Sequence, residues 1–405
     1  MKLKHICYLL GLAFLMGCGE ETINTGQSEA FIKFFGNSLM DEGSDVKQLS
    51  DGGYIITGTS TTGYGDTDVV LIRTDEYGNE QWSVYFGGQG DDQGTCVEVA
   101  GDGGFIMTGS YYDIQRGDLD LYLIKANNNG TLQWEKFIGG NGNQVGNSVQ
   151  ELDDGFVIAG TTDQFGNDDI LVVRTTTSGE ILDDDDSWYA TRGYGITDEG
   201  NHIIEVPGRD GFIVIGTTSL EDPGRGLLNS NIITIYVTGN GVGWSNMIFG
   251  GGGNDPGECI QHIQDNEFIM TGTLDVGPNS KMFIQKMQFI NEDISKVWAN
   301  PASFIESTGR STGKFAQVTT DGGFAVLGSV IASPGNSDFY LVLTDEAGAT
   351  LYGETFTFGG TGNEFGMALQ QTIDGGFIMV GSTGIPEDDN RMIALIKTNG
   401  EGKLN

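Results

Sequence analysis

Residues 86–110 read FGGQGDDQGTCVEVAGDGGFIMTGS, from Phe86 to Ser110. A glycine-rich acidic turn, a short run through Val97, an Asp-Gly-Gly turn at 102–104 and a run from Phe105 spell strand, turn, strand. The unit continues through Gly117-Asp118-x-Asp120 into Leu121–Lys125, then a turn ending at Gly130, then Trp134-Glu135-Lys136-Phe137-Ile138-Gly139. Four short runs fit in it. Trp82 precedes the stretch, and all five tryptophans, Trp82, Trp134, Trp188, Trp244 and Trp298, lie 52 to 56 residues apart. One more step reaches Tyr352, and a step back reaches Phe31. Seven aromatics on a period near 50 mean seven copies of one unit, and that period belongs to propeller blades.

The markers recur with the period. Gly94 has equivalents at Gly43, Gly146, Gly200, Gly257, Gly313 and Gly366. Ten to twelve residues later come Tyr54, Phe105, Phe156, Phe212, Phe268, Phe324 and Phe377, each followed by a Gly-Ser or Gly-Thr such as Gly58-Thr59. Asp-Gly-Gly at 51–53, 102–104, 321–323 and 374–376 predicts two-residue hairpins with positive backbone angles, and Asn129-Gly130 and Asn399-Gly400 predict the same later in the unit. No stretch holds a helical period, so the expected fold is all-β, in four-stranded blades.

The termini give the blade count. The seventh unit starts at Gly366 and shows three runs, lacking the Trp-x-Lys-Phe-x-Gly piece. That piece stands near the other end as Phe31-Ile32-Lys33-Phe34-Phe35-Gly36. A seven-bladed β-propeller over 30–405, closed by a strand at about 30–37 that completes the last blade, is the expected architecture.

The recurrent Phe-Gly-Gly-x-Gly-Asp-Asp-x-Gly…Val…Asp-Gly-Gly-Phe-Ile-x-x-Gly-Ser resembles the bacterial seven-bladed propeller repeat of secreted and surface proteins. Units three to five depart from it: Asp183 to Asp186 replaces a turn, and Asp265-Asn266-Glu267 replaces Asp-Gly-Gly. The resemblance implies a fold and little about activity, because its residues make turns and core. Asp75-x-x-Gly78-x-x-x-Trp82 is similar to the docking motif of quinoprotein propellers but one residue shorter. The sialidase Asp-box is matched only loosely. No redox cofactor is expected.

Residues 1–17 have a basic start (Lys2, Lys4) and an apolar run from Ile6 to Met16 that is too short to span a bilayer, which reads as a signal peptide. Leu15-Met16-Gly17-Cys18 resembles a lipoprotein box, making Cys18 the lipidated first residue and 18–29 a polar tether. Glu20-Glu21 resembles the surface-export signal of Bacteroidetes lipoproteins; the plainer alternative is the start of a solvated linker. The expected location is the outer membrane, lipid-anchored and facing the exterior.

The formal net charge is −36, and loss of Lys2 and Lys4 makes it more negative still. Such a field repels nucleic acid and anionic lipid heads. Cys96 and Cys259 follow equivalent marker glycines three units apart, so they lie across the ring from each other. They are read as buried small residues rather than a disulfide.

Blade topology brings the loops after the outer strand and the loops between the second and third strands to one rim. Asp91-Asp92, Asp198-Glu199, Asp255 and Glu364 belong to the first class. Asp66, Asp68, Asp118, Asp120, Asp168-Asp169, Asp338 and Glu387-Asp388-Asp389 belong to the second, so one acidic face is expected. Each carboxylate can pin its own turn. Asp66-x-Asp68 and Asp118-x-Asp120 are the candidates for calcium, as clustered hard oxygens outside any EF-hand spacing. A basic partner protein is a third use of the face. About 11 residues of flexible tether span roughly 18 Å, entering from the opposite rim, so the acidic face should point away from the membrane.

Catalysis finds no motif: His202 and His262 sit in different units without zinc-like or triad-like neighbours. Tyr64, Tyr111, Tyr112 and Tyr194 are read as exposed and able to stack on sugar rings. The expectation is therefore a non-enzymatic protein-binding or assembly module, an accessory subunit of an outer-membrane complex. A glycan-binding lipoprotein is the second reading, and a glycan hydrolase on the acidic face is the third.

Overall fold

The computed structural model describes residues 30–404 except 37–38, 64, 183–186, 222–227, 251–252, 277–278, 305–309, 332–334, 352–354 and 385–389. The expected leader, Cys18 and the tether, with Tyr64, Tyr352, Asp183 to Asp186 and Glu387-Asp388-Asp389, lie outside the described residues.

The chain is a seven-bladed β-propeller. Its first blade runs β2 (Asp41–Gln48), β3 (Tyr54–Thr61), β4 (Thr67–Thr74), β5 (Glu80–Phe86), and its second β6 (Gln93–Val99), β7 (Phe105–Asp113), β8 (Asp118–Ala126), β9 (Leu132–Ile138). The third is β10 (Gln144–Leu152) to β11 (Gly155–Thr162), β12 (Asp169–Thr176) and β13 (Trp188–Arg192). The fourth is β14 (Thr197–Glu205), β15 (Gly211–Glu221), β16 (Leu228–Thr238) and β17 (Trp244–Phe249). In the fifth, β18 (Gly257–Gln264), β19 (Glu267–Val276) and β20 (Asn279–Ile290) meet an outer strand in two pieces, β21 (Asp293–Lys296) and β22 (Ala302–Phe304), both paired with β20. Trp298 and Pro301 lie in the break, and proline can donate no ladder hydrogen bond. The sixth is β23 (Arg310–Val318), β24 (Phe324–Ile331), β25 (Ser337–Thr344) and β26 (Phe356–Phe358). The seventh takes β27 (Glu364–Gln371), β28 (Phe377–Gly384) and β29 (Arg391–Thr398) from the C-terminal end and β1 (Phe31–Phe35) from the N-terminal end. Phe31 stands opposite Lys397 and Phe35 opposite Ile393, so the ring closes as the two ends of the sequence predict.

The core lies between blades. Each of the seven buried apolar clusters joins two neighbouring sheets; Leu71 and Phe86 of the first blade, for example, pack with Phe105 and Tyr122 of the second. Both faces of the middle strands are covered, which is why Val69–Ile72 and Leu121–Ile124 are apolar without alternation. The outer aromatics close these seams. Trp82 packs on Phe105, Trp134 on Phe156, Trp188 on Phe212, Trp298 on Phe324 and Phe31 on Tyr54, with ring centroids 5.9–6.4 Å apart. Trp82 also covers Gly130, a left-handed glycine (φ 78°) in the next blade's outer turn where a Cβ would come within 2.8 Å of the ring. Trp244 departs: the next blade's outer turn is Asn291-Glu292 (φ 55° and 63°), and its indole N–H donates to Gly241 O at 2.7 Å.

The Asp-Gly-Gly turns correct the two-residue expectation. Gly52 N donates to Leu49 O (2.9 Å) and Leu49 N to Gly53 O (2.8 Å), a three-residue loop with one left-handed glycine, Gly52 at φ 89°. Asn399-Gly400 is likewise shifted, since the left-handed residue is Gly402 (φ 79°). Two-residue turns occur instead where glycine is missing, as at Asp265-Asn266, with Asp265 at φ 48°.

Each marker glycine faces the glycine of the adjoining strand: Gly43 with Gly58, Gly94 with Gly109, Gly146 with Gly160, and so around to Gly366 with Gly381. Immediately after it every inner strand bulges by one residue. A Cβ on Gly109 would sit 1.8 Å from Gln93 O, so only glycine fits. Gly109→Ala should destabilise the fold by about 3 kcal/mol. Gly103→Ala, at φ 80° with open space around it, should cost about 1–2 kcal/mol. Urea midpoints of the two variants will show whether close approach or backbone strain governs.

Candidate functional site

The two predicted loop classes do share a rim. Gly90 N donates to Asp66 Oδ2 (3.0 Å) and Thr67 N to Asp91 Oδ1 (3.1 Å), tying the loop inside the first blade to the loop that leaves it. β1 starts at the other rim, where the Phe31 ring lies on Gly78. The acidic rim is therefore distal to the N-terminal entry.

One part of the charge map needs correction. Carboxylates are as regular on the entry rim, but there, in five of the seven blades, a cation from the third strand answers one of them. Arg73 pairs with Asp51, Lys125 with Asp102 (2.8 Å), Arg174 with Asp154 (2.8 Å), Lys286 with Glu267 (2.7 Å) and Lys397 with Asp374 (3.0 Å). On the distal rim the acids are held mainly by backbone amides. Asp198 Oδ2 accepts from Tyr194 N (2.7 Å) and Gly195 N (2.8 Å), and Glu364 Oε2 accepts from Gly360 N (3.1 Å).

The four calcium candidates fall in two separate places. Asp118 (2.9 Å) and Asp120 surround the Arg116 guanidinium together with Asp113 (2.7 Å), so the positive charge among them is an arginine. Asp66 is pulled below the usual carboxylate range by the Gly90 amide. Asp68 is raised by burial and by Asp66. Asp68 and Asp92 meet at Gly87, where a Cβ would touch a carboxylate oxygen of each. Asp92 is pushed up to about 6, first by burial and then by Asp68 and Asp66, against the amides of Tyr112 and Gly88 that bind its ionised form. Among the described residues no group of three or more His, Cys, Asp or Glu is arranged to hold a metal.

The seven bulges build a feature that the sequence reading missed. They send Ser44, Thr95, Asn147, Asn201, Glu258, Lys314 and Met367, one from each inner strand, into the central channel, where they line a cavity of about 270 Å³. Thr95 Oγ1 donates to Gly146 O (2.7 Å), Asn147 Nδ2 to Gly200 O (2.9 Å), Asn201 Nδ2 to Gly257 O (2.8 Å), and Lys314 pairs with Glu258 (2.7 Å). Each of these ties reaches the next blade. The only signal in the sequence was the residue after each marker glycine, polar in six of seven units. His202 lines the same channel; burial, then Lys47, lowers it to about 3, so it is neutral. Cys96 and Cys259 are buried and free on different inner strands, as expected. Toward the distal rim the channel opens into a mouth of about 770 Å³ that includes Met40, Glu42 and Asp91.

Of the tyrosines read as exposed, Tyr111, Tyr112 and Tyr194 are half-buried. Tyr111 packs on Phe137 (4.2 Å) and Tyr122 (5.5 Å), Tyr112 lies over Gly90, and Tyr194 packs against the cluster between the third and fourth blades.

No family model and no curated protein matches the chain. Among solved structures it is similar to Drosophila Semaphorin 2a, at 8% identity and TM-score 0.52 over 91% of this chain and 75% of that one. It is also similar to extracellular domains 1–2 of Drosophila Semaphorin 1a, at 10% identity and TM-score 0.50 over 91% and 88%. At such identity the likeness concerns the fold alone.

Folded Asp92 keeps its proton to about pH 6, whereas the unfolded carboxyl loses it near 3.8. Its stabilising contribution is thus full below 3.8 and lost as pH rises through 6. Carboxyl carbon NMR should place the Asp92 midpoint near 6, and Asp68→Asn should lower it.

Proposed function

We propose that this chain is a surface-exposed outer-membrane lipoprotein, anchored through Cys18, whose propeller is a non-enzymatic protein-binding module and an accessory subunit of an outer-membrane complex. The observation that carries the reading is the make-up of the distal rim. Phe165 (66% exposed), Ile114, Leu39, Met40, Ile196 and Ile331 project from its loops among carboxylates, several of them held by backbone amides. Apolar anchors inside a charged surround suit a protein partner, with burial supplying affinity and charge supplying steering. The partner's matching face would be basic. The short tether would join Phe31 from the entry rim and leave the distal rim turned outward.

His202 Nδ1 has no hydrogen-bond partner among the described residues, and His262 Nε2 is spent 3.0 Å from Asp265 O. Neither has the carboxylate orienter that a general base needs.

Cys18→Ser should release the chain from the membrane fraction, and retention there would refute the lipid anchor. Affinity capture from detergent-solubilised outer membranes should retain a stoichiometric membrane protein at low salt and lose it as salt rises. Phe165→Ala with Asp91→Lys should abolish that retention. Capture unchanged by both salt and the double substitution would rule out the distal rim.

A further inference from the structure

The belt of ties around the channel lapses between the sixth, seventh and first blades, where Met367 and Ser44 occupy the bulge positions. A hollow of about 380 Å³ opens there beside the mouth, within the size range of small-ligand sites. Two cations line it, Lys314 and Arg391. Both stand in a chain of net charge −36. Each is paired with one carboxylate: Lys314 with Glu258 at 2.7 Å, and Arg391 with Glu42, which itself lines the hollow. Their side chains stay 35% and 37% exposed, so each keeps N–H donors beyond those spent on its glutamate. The Arg391 guanidinium is further fixed 5.4 Å above the Phe365 ring. Hydroxyls of Ser44, Thr312, Ser329 and Ser382 complete the polar wall, and Met367 supplies an apolar one.

We propose that this hollow binds a hydroxylated carboxylate of the sugar-acid class, with the carboxylate between Lys314 and Arg391 and the ring hydroxyls on the serines and threonine. The two cations select a ligand that carries a carboxylate, and the hydroxyls can donate to or accept from its ring. The glutamates paired with the cations keep the site near neutral, and the acidic body repels polyanions, so one carboxylate is favoured over a phosphate. The ring's apolar face would meet Met367. The hollow adjoins the docking surface, with Arg391 bridged to Met40, but small-ligand binding there does not depend on a protein partner.

The test is calorimetric titration of the mature lipidated chain in detergent micelles with galacturonate. Galactose serves as the same ring without the charge, and acetate as the charge without the ring. Galacturonate should bind saturably, and both controls at least about tenfold more weakly, the scale of one charge-assisted hydrogen bond. Lys314→Met and Arg391→Gln should each weaken binding by about tenfold to a hundredfold, while Lys314→Arg should stay close to the unsubstituted chain. Because each removal strands a glutamate, Lys314→Met with Glu258→Gln and Arg391→Gln with Glu42→Gln should repeat the loss in chains whose melting is unchanged. Absence of saturable galacturonate binding, equal affinity for either control, or full affinity in the paired variants would overturn the proposal. Each of those results would leave capture through Phe165 and Asp91 unaffected.

Discussion

The structure depends on the contact of two glycines in every blade. With no Cβ on either residue, the inner strand comes so close to its neighbour that a methyl group on Gly109 would overlap Gln93 O. The other face of the same inner glycine lies against the preceding blade, where a Cβ on Gly94 would come 2.6 Å from Gly58 O. One position thus sets both the pairing within a sheet and the approach between sheets. The bulge that follows it turns a single side chain to the axis. Packing, ring geometry and the chemistry of the channel are in this way products of one constraint, applied seven times.

No blade owns a core, because each apolar cluster belongs to a seam. Closing the ring therefore supplies two half-cores at once, and β1 completes the seventh sheet that carries one of them. The inner strands are edges as well, and unpaired edges invite foreign strands. Here side chains of the adjoining blade cap the free amides. Asp45 Oδ2 accepts from Val97 N (3.1 Å), Gln150 Oε1 from Glu205 N (2.7 Å), and Gln317 Oε1 from Gln371 N (2.6 Å). These caps also link blade to blade, which gives the loops above them a stiff base.

Much of this architecture was legible because the period labels positions rather than residues. The tryptophans mark outer strands, the marker glycines mark inner ones, and Phe31–Phe35 completes the last blade as its pattern required. Turn class was less legible: Asp-Gly-Gly signals a positive angle, but whether one or two residues need it depends on strand register. Pro301 was the visible warning that the fifth outer strand breaks. The channel belt was hidden because a bulge is a relation between two strands, and no spacing along one strand reveals it. The tyrosines misled because loop position does not determine burial. Tyr111 is covered by Phe137, which lies two strands away in the same sheet.

The distal carboxylates posed a choice between pinning turns and presenting charge, and the structure shows that the two uses do not compete. A backbone amide satisfies a carboxylate's hydrogen bonds and carries only a partial charge, so the turn is fixed while the anion keeps its field. An ammonium or guanidinium does both jobs and cancels the field. On the entry rim the cations are rooted in the buried third strand, with Lys397 fully covered and Arg73 and Lys125 nearly so, and burying such a charge is tolerable only beside its aspartate. The two rims thus hold similar numbers of acids in different electrostatic states. The one turned away from the N-terminal strand, outside the acids around Arg116 and Glu42 beside Arg391, keeps a field that the Debye length of about 8 Å confines to partners close to the surface. That polarity follows from which strand of the repeat bears the lysine or arginine. It recurs in five of the seven blades.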